Sequence, residues 1–137
     1  MRTKALAFLI AFSCLLVAGG CKKDSEVKTI LADFDSFTAE LVKRVDAASN
    51  PADGVDDAQK YFDSKKTEMT GKMEQLKTIR GYQVGDETKK MMEASLIEDA
   101  KKVANLQVKY MGTSMRDAAF KAKLDKLTRD YQSLFKM

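Results

Sequence analysis

From residue 25 onward the chain repeats apolar side chains every three or four positions, and no stretch alternates them as a strand would. Val27, Ile30, Phe34, Phe37, Leu41 and Ala48 keep to one face, with Leu31 and Val45 widening it. This spacing predicts an amphipathic helix over 25–48. Asp24 and Glu26 stand at its positive end and Lys43 and Arg44 near its negative end, as the macrodipole favours. Ser49 to Gly54 is the first break. There Asn50 suits an N-cap and Pro51, the only proline, suits the first helical position.

The second helix carries Val55, Ala58, Phe62, Met69, Leu76 and Ile79 on one seam, with Met73 beside it. Lys65 and Lys72 interrupt that seam, and their aliphatic stems can cross an apolar groove while the ammonium reaches water. Gly71 weakens the helix by about 1 kcal/mol relative to alanine, unless close packing needs the missing side chain. Gly81 to Gly85 forms the second break, and Asp86 is the expected cap of a third helix running to about Met111. That helix has two stripes. Met92, Leu96, Val103, Leu106 and Tyr110 form one; Ile97, Ala104, Val108 and Met111 form the other. So wide an arc predicts contact with more than one neighbour.

Gly112-Thr113-Ser114 reads as a third turn, with Gly112 ending one helix and Thr113 or Ser114 capping the next. The rival is one helix running through, since the register of Val103, Leu106 and Tyr110 carries on to Phe120, Leu124 and Leu127. A turn is preferred because Thr113 and Asp117 would fall on that seam, and both are polar. The last helix has a narrow seam of Phe120, Leu124, Leu127, Tyr131 and Leu134. Four helices of roughly 24, 27, 26 and 23 residues, each about 35–40 Å long, predict an all-α, up-down-up-down four-helix bundle. Between Asp24 and Ala48 acidic residues outnumber basic ones, and from Thr113 onward the balance reverses. On that ground the first and last helices are expected to lie side by side.

The start of the chain follows a different plan. Arg2 and Lys4 precede an apolar run from Ala5 to Ala18, followed by Gly19, Gly20 and Cys21. A basic start, an apolar run and small residues make a secretory signal peptide. Val17-Ala18-Gly19-Gly20-Cys21 resembles the lipobox of bacterial lipoproteins, with Ala18 standing where that class more often has leucine. The resemblance implies that a diacylglycerol is joined to Cys21 and that the chain is cut before it. The expected organisation is a signal peptide over 1–20, a lipidated cysteine with a short tether over 21–24, and a helical domain over 25–137. Lys22 follows the cysteine in place of an aspartate, which implies the periplasmic face of the outer membrane in a Gram-negative host. Membrane lipid, held through acylated Cys21, is the first expected partner, and Lys22 and Lys23 suit an anionic headgroup layer.

Composition narrows the chemistry. Of the 137 residues none is histidine, which removes the commonest general base and transition-metal ligand. The two cysteines are Cys14, in the signal segment, and Cys21, so no thiol remains for a disulfide or a metal cage. Glu-x-x-His di-iron motifs and haem attachment sites are missing from the sequence. The helix seams read above pair no carboxylates, although a serine–lysine arrangement stays open. The net charge of +4 is spread through interspersed signs, which disfavours nucleic acid as a partner. Methionine offers one chemical alternative. Met69, Met73, Met91 and Met92 fall at spacings and heights where soft thioethers could hold Cu(I), although methionine is an ordinary filler of helical cores.

The expected protein is a non-enzymatic envelope lipoprotein without a cofactor, a binding or accessory module for an unidentified envelope protein. The alternatives are a chaperone-like bundle and the Cu(I) binder.

Overall fold

The computed structural model describes residues 23–136. The segment 1–20 and Cys21 lie outside them. The described residues form α1 (Asp24–Ala47), α2 (Pro51–Thr78), a single 3₁₀ turn (Gly81–Gln83), α3 (Asp86–Lys109), a short α4 (Met111–Arg116) and α5 (Ala118–Ser133). Strands are absent among them. No helix among them is long and apolar enough to cross a membrane. The all-α bundle stands, with four long helices alternating in direction.

The core is built from the seams. Phe34, Phe62, Val103 and Leu124, one from each long helix, are all buried, and Phe37, Leu41, Met69, Leu106, Phe120 and Tyr131 are among the large side chains packed with them. Fully burying such a side chain contributes roughly 1.5–3 kcal/mol, which helices of this length need because they are unstable singly. Phe37 lies between Tyr61, Phe62 and Tyr131, its ring 5.6 to 6.1 Å from theirs. Lys65 and Lys72 lie along the α1–α2 groove as their positions required; Lys72 bridges Asp33 of α1 and Glu68, each at 2.8 Å.

Helix neighbours differ from the expectation. α1 packs on α2 and α3, and α5 packs on the same two, so α1 and α5 stand diagonally across the core. α1 and α3 are therefore parallel neighbours. Their polar contacts run from Asp24 with Gly85 at one end to Asp46 with Tyr110 at the other. The link between α2 and α3 must then cross the base of the bundle. Charge balance misled because ion pairs are local: α1's acids reach Lys72 of α2 and Lys102 and Lys109 of α3.

The helix boundaries follow local capping. Asn50 accepts from the Ala52 N–H at 3.0 Å and Pro51 opens α2, as expected. Gly54 lies in the first turn of α2, not in the break, and it is buried where α2 meets the last turn of α1. A Cβ there would sit 2.4 Å from the Val45 carbonyl oxygen, so glycine is required by the close approach of two backbones. Asp86 falls inside α3 and pairs with Lys89 at 3.0 Å; the residue before the helix is Gly85, whose N–H is taken by Asp24.

The third break is displaced. The helix is distorted at Tyr110, continues through Gly112, Thr113 and Ser114 as α4, and ends at Asp117. Asp117 has extended backbone and its carboxylate accepts from the Phe120 N–H at 2.9 Å, so it, and not Thr113 or Ser114, caps the last helix.

Candidate functional site

The core stripe of α3 continues through a polar position. Leu96, Asp99, Val103, Leu106 and Tyr110 are spaced by three and four, and Asp99 is only 1% exposed. Its Oδ1 accepts from Lys102 Nζ at 3.2 Å, while Lys102 also reaches Asp35 of α1 at 2.5 Å. Burial pushes the Asp99 carboxyl above its usual range. Asp35 moves the other way, held down by its hydrogen bond to Lys102, whose ammonium is in turn stabilised by Asp35. One lysine therefore bridges two carboxyl groups of opposite tendency, its ammonium opposing the effect of burial on Asp99.

This trio lines an open groove of about 560 Å³ between α1 and α3, with Asp99 buried and Asp35 exposed. Leu31, Ala32, Met91 and Ala94 give it apolar walls, and Lys28, Ser95 and Glu98 ring it. Read by period, the seams pair no carboxylates, because a step from Leu96 to Val103 passes over Asp99. Lys101-Lys102 likewise has the look of a solvated pair. Lys101 is exposed, but Lys102 is partly buried as the bridge. Lys102, bonded to both Asp35 and Asp99, joins α1 to α3 across this groove.

The second stripe of α3 has the opposite fate. Ile97, Val108 and Met111 are 56%, 67% and 55% exposed, Ala104 is exposed beside them, and Met115 of α4 extends the line at 82%. α3 does meet two neighbours, α1 and α5, but this second stripe stays outside those contacts. Successive positions turn by about 100° around a helix, which puts this line well over a right angle from the buried stripe. At its distal end Met111 and Met115 open into a shallow groove of about 330 Å³, where Leu124 lies between Gln107, Ser114, Lys121 and Asp125. The distortion at Tyr110 turns α4 onto α5 and so shapes this groove. Charges of both signs flank the stripe: Asp86, Lys90 and Glu93 in its first half and Lys101 in its second, whereas Lys109 turns to Asp46 of α1.

The methionines proposed for Cu(I) differ in exposure. Met69 and Met73 are core residues of α2, and Met92 is partly buried against the core. Met91 is 39% exposed in the α1–α3 groove, and α2 and α3 are diagonal to one another. Among the described residues no set of three or more acidic side chains is grouped to hold a metal ion.

At the base of the bundle, Lys23 is stitched to the link that crosses beneath. Its N–H donates to the Gln83 carbonyl at 2.7 Å, and the Asp24 carboxylate accepts from the Gly85 N–H at 2.9 Å. No protein-family model matches the chain, and no curated protein or solved structure is significantly similar to it.

Proposed function

We propose that the chain is a lipid-anchored lipoprotein of the bacterial envelope, held by acylated Cys21, and that it works as a non-enzymatic docking module for another envelope protein. The exposed stripe Ile97–Ala104–Val108–Met111–Met115 carries this reading, because a large apolar line opposite a complete core serves contact with something outside the chain. The stripe is one helix wide and has the spacing of a helix–helix seam.

The chaperone-like alternative draws on the same exposed stripe. Band number separates the two. A photo-crosslinking residue at Val108, introduced in cells, gives one discrete adduct for a docking module and a broad ladder for a chaperone. The same residue at Lys66, on the exposed face of α2, gives neither. A folded protein with no adduct at Val108 rules out the docking role.

The anchor has its own test. Mass spectrometry of the membrane fraction is expected to show a mature chain beginning at acylated Cys21, with Cys21→Ala uncut and non-lipidated. A free thiol at Cys21 in the mature membrane form refutes the anchor. Lys22 favours the outer membrane in a Gram-negative host, which density-gradient fractionation checks.

A further inference from the structure

The 3₁₀ turn Gly81–Gln83 is a tightly bonded structure. The Gln83 N–H donates to the Arg80 carbonyl at 2.8 Å, and the Gln83 side-chain oxygen accepts from the Arg80 N–H at 2.7 Å. The Gln83 carbonyl in turn holds Lys23. In the middle of this turn Tyr82 is 85% exposed, more than any other aromatic side chain among the described residues. Core packing therefore does not account for an aromatic ring held outward on a fixed turn.

Covalent reach supplies what the ring faces. Cys21 precedes Lys23 by two residues, so at full extension their Cα atoms are at most about 7 Å apart. Since Lys23 is bonded to Gln83, acyl chains on Cys21 enter their membrane within a short distance of Tyr82. We propose that Tyr82 is a second membrane contact, its ring lying in the headgroup layer beside the acyl anchor. This rests on the lipid-anchor reading. Tyrosine fits the task because its apolar ring and polar hydroxyl suit the boundary between acyl chains and water. Lys77 and Arg80, both exposed on the approach to the turn, can meet anionic headgroups beside Lys22 and Lys23. An anchor alone leaves the bundle free to swing; a second fixed contact stands its helices away from the surface.

The chain has no tryptophan, so Tyr82→Trp creates a single fluorescent reporter. The variant is expressed from the full chain and extracted from membranes. Its acylation is read by mass spectrometry before reconstitution into phosphatidylcholine–phosphatidylglycerol vesicles. Doxyl quenchers are placed either at the headgroup or deep in the acyl chains. The expected result is emission shifted to shorter wavelength, with about half or more of the intensity lost to the headgroup quencher and less to the deep one. Met115→Trp, at the far end of the bundle, serves as the unquenched reference. If the acylated Tyr82→Trp protein is quenched no more than the acylated Met115→Trp protein, the Tyr82 contact is overturned and the anchor still stands. Protein with an unmodified Cys21 removes the anchor and the Tyr82 contact together.

Discussion

Thr38 of α1 and Tyr131 of α5 share a hydrogen bond of 2.6 Å in the middle of the bundle, with both residues fully buried. Their helices are diagonal, so this bond fixes a distance that direct helix packing does not. Burial drives the Tyr131 phenol well above its usual range, and the nearby Asp99 and Asp35 carboxylates add to the effect. The pair therefore remains a neutral hydrogen bond throughout the ordinary pH range.

Removing one partner leaves the other unsatisfied. Tyr131→Phe and Thr38→Val are each expected to cost about 1–3 kcal/mol in chemical denaturation. The double variant is expected to cost clearly less than the two together, since both polar groups are then gone. Strict additivity would mean that the bond does not form.

Phe34 and Phe62 test the packing itself. Each is completely buried, so truncation to alanine is expected to cost about 3–5 kcal/mol. Losses below about 1 kcal/mol at both positions in urea titrations would contradict this core.

Two glycines of α2 are expected to respond in opposite directions. A Cβ at Gly71 meets nothing within 4 Å, so Gly71→Ala raises stability by about 0.5–1 kcal/mol through helix propensity alone. At Gly54 the added carbon runs into the Val45 and Arg44 carbonyls, and Gly54→Ala is expected to destabilise by about 1–3 kcal/mol as α1 and α2 are forced apart. Thermal melts of the two variants rank them.

Asp99 predicts a pH effect. Its folded carboxyl holds a proton more tightly than the unfolded one, so its contribution to stability falls as pH rises from the ordinary carboxylate range through the raised folded value. Asp35, held down by Lys102, works the other way and loses its contribution as pH falls. Asp99→Asn removes the first effect only. It is expected to stabilise the protein at neutral pH, with the gain vanishing in acid; urea midpoints measured across that range decide. Identical pH profiles for variant and parent would show that Asp99 binds its proton equally tightly folded and unfolded, and so overturn the raised value.

Fold class was readable in the sequence because burial of a bundle core imposes its period on the chain, as Phe120, Leu124, Leu127 and Tyr131 show most plainly. Which helix neighbours which was not readable. Up-down-up-down connectivity permits either arrangement, and the choice between them depends on the link at Gly81–Gly85 crossing the base. Asp117 looked like a flaw in a continuous seam, when its carboxylate was the stop signal itself.

The α3–α4 stripe shows the deeper limit. A seam meant for another molecule has the same period as a seam meant for the core, so Ile97 and Val103 are alike to any periodicity argument. Asp99 is the converse case. It was legible as a polar residue in core register, but only to a count that did not step seven residues at a time.

The stitching of Lys23 to Gln83 and of Asp24 to Gly85 has a mechanical consequence. A pull on the N-terminal end does not load α1 alone, because the same point is bonded to the link between α2 and α3. Tension is shared at once among three helices and runs along their axes. Such a load shears long packed seams in parallel and does not peel one helix away turn by turn. The bundle is therefore built to resist force applied at Lys23 along its axis.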